Sequence, residues 1–412
     1  MTSTTPASAP QSHPSPKRRR RTGRTWPAVA VAAALATAGV AATVQSSNGA
    51  SAPSAPGYRQ DDLRRDTEAL RALGITGVQA RVTTASGRDL VATAGVAEVG
   101  TKRPVPRDGY FRIASTGKAL MATVVLQLVD EGRLSLDDTV ERRLPGVIAG
   151  NGNDGRKMTV RQLLRNTSGL HDDLPGFDTP QQYYQHRHDT YTAEQIVARA
   201  MRHHPDFEPG TGWGYSNTGY VVLGMIVEKV AGRPWQEEVE SRILRPLGMH
   251  HTYLPGATPT LRRPHADGYQ VFGSGERIDV TEQLVPDLGG YVSTTADVNR
   301  FFQGLLGGEL LSGARLAEMR DTVPVPKEFE VFWPGGRYGL GLVARPLSCG
   351  GSYWSHEGGE AGYITLNGAT GDGRRTVTVS LTTSFNDLGR TIRQQKAASD
   401  LVDRALCDTA GR

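Results

Sequence analysis

Apolar and polar residues along this chain follow two rhythms. From Tyr58 to Leu73 the segment DDLRRDTEALRAL puts Leu63, Leu70 and Leu73 on one side of a helix that Gly74 ends. Val78 to Thr83 and Leu90 to Val96 alternate around an Ala85-Ser86-Gly87-Arg88 turn, which predicts a β-hairpin. Tyr110 to Ile113 is a short strand-like lead into a helix whose Leu120, Met121, Val124, Val125 and Leu128 have the spacing of a buried element. In the middle of the chain, Thr159 to Leu164 and Thr192 to Met201 start with threonine caps. Thr218 to Val230 is a further buried helix, stopped at Gly232 and Pro234. Leu170 to Asp189, polar, aromatic and irregular, reads as a long loop of the kind that borders a site. Strand signals return in GLGLVAR, SYWSHE, GYITLNG and TVTVSLTT, and a helix from Leu388 to Leu406 follows. The order predicts an α+β fold: an antiparallel sheet built from both ends of the chain, flanked by helices, with a mostly helical subdomain inserted.

Within that pattern Ser115 and Lys118 stand three apart at the start of the predicted helix, so hydroxyl and amine share a face. An uncharged lysine can take the serine's proton and turn a weak nucleophile into a competent one. Backbone N–H groups at a helix start favour the negative charge that develops in such a reaction. Taken alone, the tetrapeptide is equally served by a capping serine and a solvated lysine.

Composition divides the chain at about residue 57. Residues 1–57 hold the basic cluster Lys17, Arg18, Arg19, Arg20, Arg21 and Arg24, then an uncharged Ala/Val-rich run from Pro27 to Val44, then a small-residue stretch. That order is the layout of an export signal, either cleaved or retained as an anchor. Residues 58–412 are expected to form one catalytic domain, secreted or held at the outer face of the membrane, touching the membrane only through the N-terminal segment. The chain has 47 Lys+Arg against 42 Asp+Glu; six of the basic residues and none of the acidic lie in the first 57, leaving 41 against 42. The body is near neutral, so charge gives no reason to expect a nucleic-acid partner. Cys349 and Cys407 both lie in the exported part, where they would form a disulfide or remain two buried thiols. The adjacent pairs His203-His204 and His250-His251 point to different sides of their elements with no carboxylate at ligand spacing, so neither metal nor cofactor is expected. His171, Asp172 and Asp173 are expected to shape a loop beside the cleft.

Two later motifs keep company with Ser115 and Lys118. Tyr215-Ser216-Asn217 offers a phenol able to relay a proton and an amide able to hold a substrate carbonyl or the lysine. His356-Glu357-Gly358-Gly359 offers an imidazole and glycines that let backbone approach a substrate closely. Ser-x-x-Lys, Tyr-x-Asn and His-x-Gly in this order resemble the serine β-lactamase and penicillin-binding-protein superfamily, in particular its D-alanyl-D-alanine carboxypeptidase and class C β-lactamase branches. The resemblance runs from about Ile75 to Cys407 and includes LQLVDEGRLSLDD, TVRQLLRNTSGL and YSNTGYVVLGMIVEKVAG. It implies Ser115 as acylated nucleophile, Lys118 as base, Tyr215 as proton relay and His356 in place of the third-motif base. Asn217, Glu357, Gly358 and Gly359 become substrate contacts, with the N–H groups of Ser115 and Gly359 as oxyanion hole. The implied partners are small peptides, esters or β-lactams, including peptidoglycan fragments, met by a monomer. In the carboxypeptidase branch threonines and an arginine hold the peptide's terminal carboxylate; here Glu357, Gly359 and Val343 stand at those positions. The expected function is an exported serine hydrolase acting through an acyl-enzyme on amides or esters, foremost a D-alanyl-D-alanine carboxypeptidase-like enzyme or a related D-peptidase. The alternatives are an esterase, an amidase of other D-residue substrates, a weak class C-like β-lactamase and a penicillin-binding sensor that does not turn over.

Overall fold

The structure, a computed structural model, describes residues 57–407, so the predicted export segment lies, apart from Gly57, outside the described residues. Nine strands form the main sheet: β1 (Gly77–Thr83), β2 (Asp89–Gly95), β3 (Val323–Pro324), β4 (Arg337–Tyr338), β5 (Val343–Pro346), β6 (Ser352–Ser355), β7 (Gly358–Glu360), β8 (Tyr363–Thr370) and β9 (Thr376–Leu381). Their order is β2-β1-β9-β8-β6-β5-β4-β3, with β7 beside β8, and every pairing is antiparallel. N-terminal and C-terminal strands thus meet at β1 and β9, as the order of signals predicts. Their side chains are wholly buried along both strands, which needs cover on each face.

Helices α1 (Gln60–Ala72) and α5 (Leu388–Leu406) supply that cover on one side. Leu63 and Leu70 meet Leu401, Val402, Val78 and Val379 there in a single apolar cluster. On the other side lies α4 (Thr295–Leu306), packed against β1, β8 and β9. Beyond it stands the inserted helical layer, built on α2 (Gly117–Asp130) and α3 (Asn217–Ala231). Helix α2 is apolar nearly all round, so it serves as a spine buried on every side. The cap signals are satisfied as read: Thr159 and Thr192 each accept from the backbone N–H three residues on, completed by Gln162 and Gln195 as capping boxes.

The structure departs from the sequence reading in four places. Ser115 sits in a 3-10 turn, Ala114–Thr116, and α2 starts only at Gly117. The lead-in strand, Phe111–Arg112, pairs with Val292–Ser293 and stays out of the main sheet. The predicted loop at 170–189 contains a helix, Pro180–His186, with Thr179 as cap and proline at its first position. The SYWSHE strand ends at Ser355, leaving His356 and Glu357 between β6 and β7. Trp354 faces Ala369 and Gly358 faces Thr365, so one register spans the gap with no residue added or lost. Cys349 and Cys407 form a disulfide that fastens the turn after β5 to the end of α5.

Candidate active site

The turn carrying Ser115 is held in an uncommon backbone state. Ala114 adopts φ 49°, the left-handed region that costs a residue with a Cβ of order 1 kcal/mol or more. Strand β7 lies hard against this turn. A Cβ on Gly358 would stand 2.1 Å from the Ile113 carbonyl oxygen and 3.1 Å from the Ser115 nitrogen, so only glycine permits the approach.

Lys118, the second residue of α2 and 4% exposed, points back at the serine. Its Nζ donates to Ser115 Oγ at 2.9 Å and to Asn217 Oδ1 at 2.6 Å. The same ammonium lies 5.0 Å from the ring centre of Tyr215 and 5.6 Å from that of Tyr220. Asn217 is presented by the first turn of α3, which Ser216 caps by accepting from the Gly219 N–H. Asp172 fixes the amide: one oxygen accepts from Asn217 Nδ2 at 2.7 Å, the other from the Thr218 N–H at 3.1 Å. Asp172 therefore does more than shape a loop. By occupying the Asn217 N–H group it leaves the Asn217 oxygen aimed at Lys118. His171 pairs with Asp206, and Asp173 with Arg199, and neither touches the serine cluster.

Ser115 and Tyr215 line two cavities that meet at the serine turn. The larger, about 780 Å³, also contains Lys118, Asn217, Gly359 and Glu360 and reaches out to Gln182, Asp189 and Asn386. The smaller, about 250 Å³, is walled by Phe329, Phe332, Trp333 and Ile364, with Glu357, Gly358 and Gly359 at its floor and Thr391 and Gln395 of α5 at its rim. Ser115, Lys118, Tyr215, Asn217, Gly358 and Gly359 are thus brought to one cleft.

His356 is not with them. Its side chain is fully buried and lines neither cavity. Nδ1 donates to the Glu357 carbonyl at 2.9 Å, which fixes the tautomer, and Nε2 accepts from the Tyr338 hydroxyl at 3.0 Å. Burial, together with the nearby Lys118 ammonium, lowers this imidazole from its usual 6.5 to about 3, so it stays neutral. With both nitrogens taken up by protein partners and its ring lining neither cavity, His356 stands behind the cleft wall, its ring centre 6.4 Å from that of Tyr215, and not at the open position that the third-motif base of the resemblance would occupy.

Glu357 also departs from expectation. Its carboxylate accepts from Arg345 at 2.6 Å and from Trp333 Nε1 at 3.1 Å, and the two ionic side chains are only 9% and 7% exposed. Burial raises the Glu357 carboxyl against the opposing pull of Arg345. The glutamate is a peg for the Trp333 wall, its charge balanced by a neighbour, and it holds Arg345 away from any substrate carboxylate. Strand β5 is regular despite Pro346, with Arg345 opposite Tyr353, and Val343 is buried among Trp333 and Tyr338. An arginine at 343 would have to enter that aromatic cluster.

Three residues escaped the sequence reading. Asn367, in the middle of β8, accepts from the His356 N–H at 3.0 Å and donates to the His356 carbonyl at 2.7 Å, standing in for the missing ladder between β6 and β7. Thr116 adds a second donor to that carbonyl at 2.8 Å, tying the serine turn to the same point. A lone amide in the apolar run YITL-N-GAT was the available signal, since a buried amide must find partners. Tyr338 was quoted only as part of a strand; it links His356 to Tyr220, whose hydroxyl donates to the Leu164 carbonyl.

Comparison with known proteins agrees with this geometry. A family model described as Beta-lactamase matches residues 63–400. Penicillin-binding protein 4* of Bacillus subtilis is 29% identical over 296 residues, 69% of this chain and 63% of that protein. Penicillin-binding protein 4 of Amycolatopsis lactamdurans is 34% identical over 240 residues, 56% of this chain and 61% of that protein. The chain thus spans less than two thirds of either relative. Two solved structures match over nearly their whole length. A D-stereospecific amidohydrolase from Streptomyces sp. superposes with TM-score 0.74 at 37% identity, covering 82% of this chain and 98% of that one. A D-amino acid amidase from Ochrobactrum anthropi gives 0.71 at 28% identity, covering 84% and 97%. With a Ser-x-x-Lys pair at bonding distance in a cleft of this architecture, and a family match across most of its length, the chain belongs to the β-lactamase family of serine hydrolases.

Proposed function

We propose that this chain is an exported hydrolase of D-amino-acid amides, esters or short D-peptides, acting through an acyl-enzyme on Ser115. The observation that carries the substrate class is how the cleft's cations are used. Among the described residues lining either cavity, Lys118 is bonded to Ser115 and Asn217, and Arg199 is held by Asp173. Arg345, two residues beyond Val343 on β5, is held by Glu357. A peptide's terminal carboxylate would meet no lysine or arginine left unpaired among these residues, which favours an amide or ester over a D-Ala-D-Ala peptide with a free carboxylate. The names of the amidohydrolase and amidase neighbours support the same reading.

In this mechanism Lys118 enters the step as the neutral amine, one Nζ proton having been given up to solvent, and accepts the Ser115 proton as Oγ bonds to the substrate carbonyl carbon. The N–H groups of Ser115 and Gly359 hold the resulting oxyanion. Tyr215 passes a proton to the departing nitrogen or oxygen as the C–N or C–O bond breaks, and water then releases the acyl group by the reverse relay. Export is supported by the basic-then-apolar order of residues 1–57 and by the disulfide.

The test is a substrate panel with the purified chain: D-phenylalanine amide, a peptide ending in D-Ala-D-Ala, a cephalosporin and a short-chain ester. Amide and ester turnover are expected to exceed carboxypeptidase turnover by at least about tenfold, with Ser115→Ala abolishing all of it. Dominant release of D-alanine overturns the substrate reading. A lasting cephalosporin adduct with no amide or ester turnover favours a sensor instead.

A further inference from the structure

Glu360 is the acidic group of the cleft that the mechanism leaves unused. It follows Gly359 on β7, lines the larger cavity beside Ser115 and Lys118, and is half-buried. Residues alternate in direction along a strand, so Glu360 projects to the same face as Gly358, the face on which the serine turn lies. Two residues along a strand is about 7 Å, which sets the carboxylate close to any group attached to the carbonyl under attack.

The other acidic groups lining the two cavities have side-chain partners: Glu357 is ion-paired with Arg345, and Asp189 is hydrogen-bonded to His186. Glu360 forms no ion pair among the described residues, and its hydrogen bond there is a local one, from the Ala361 N–H to Oε1 at 2.9 Å. Arg112 is a buried cation in the same region; its Nη2 donates to the carbonyls of Pro259, Thr281 and Gln283, its Nε and Nη1 have no hydrogen-bond partner among the described residues, and its charge acts on Glu360 from beyond ion-pair distance. Burial pushes the Glu360 carboxyl above its usual range, the cost that an incoming cation would relieve.

We propose that Glu360 binds the α-ammonium of the residue whose carbonyl Ser115 attacks, so that the substrate carries a free amino group beside the scissile bond. This rests on the amidase reading above and deepens it: the enzyme acts at the amino terminus of D-residue amides or peptides and rejects N-acylated ones.

Binding, separated from turnover, tests this. Calorimetric titrations of the full chain carrying Ser115→Ala compare D-phenylalanine amide with N-acetyl-D-phenylalanine amide. The free amine is expected to bind at least about tenfold more tightly, as a charge-assisted contact should. Adding Glu360→Gln, whose amide oxygen can still accept from Ala361, should shrink that preference to about twofold or less while leaving the N-acetyl affinity unchanged. No preference in the Ser115→Ala protein, a preference that survives Glu360→Gln, or an equal loss for both ligands overturns the proposal. Failure of the amidase reading would show separately, as wild-type protein that binds D-phenylalanine amide without cleaving it.

Discussion

Two polar clusters flank Gly358, and they differ in what their atoms still have to offer. Toward the cleft, Lys118 bonds both Ser115 and Asn217 and keeps a further position on Nζ and an open approach. Behind it, His356 has both ring nitrogens, its N–H and its carbonyl bonded to Glu357, Tyr338, Asn367 and Thr116. Both clusters contain a group able to move protons, yet only the first has bonding capacity left over. Nearness to the serine in the sequence motif is therefore a poor guide to chemistry. A satisfied buried group holds geometry, and an under-satisfied one at a cleft can react.

The largest effect that would break this contrast concerns Lys118. Lys118→Ala should lower kcat on an ester substrate by about 10³-fold with KM changed by less than about threefold. A loss carried by KM would remove the lysine from the base role. His356 provides the next test, through pH. Its proton is disfavoured in the fold, so the unfolded chain binds it first as pH drops. The neutral-imidazole contribution is complete above 6.5 and is lost as pH falls toward about 3. At 1.4 kcal/mol per unit, the native protein should lose about 2 kcal/mol between pH 6.5 and 5 from this group, seen as a falling urea midpoint. His356→Gln should flatten that slope while the folded protein keeps turnover within about tenfold of wild type. A variant that unfolds normally with pH but has lost all turnover would return His356 to the chemistry. The smallest effect sharpens the positioning role: Thr116→Val should cost about 1 kcal/mol of stability, with kcat within about threefold, because Asn367 still serves the His356 carbonyl.

What the sequence disclosed and what it hid follow from range. Ser115 with Lys118, and Tyr215 with Asn217, are local spacings that a helix turn converts into geometry, and they were legible. So were the helix caps, the hairpin and the whole of α5, because each is decided by neighbours within a few residues. The direction in which His356 faces was not, because it depends on Asn367 and Tyr338, on other strands of the sheet. The same holds for Glu357. Its letter suggests repulsion of an anion, and only the register that brings Arg345 alongside reverses that meaning.

The join between Cys349 and Cys407 lies remote from the nucleophile, yet it reaches the cleft through the helix it secures. Helix α5 lends Thr391 and Gln395 to the apolar cavity and Ser399 to Arg345. Whatever shifts that helix, whether a reducing cytosol, a cysteine replaced for convenience in expression, or a bulky fusion partner appended behind it, reshapes the enzyme's selectivity filter from outside. For anyone producing this protein, oxidative folding and the handling of its last helix belong to the assay conditions.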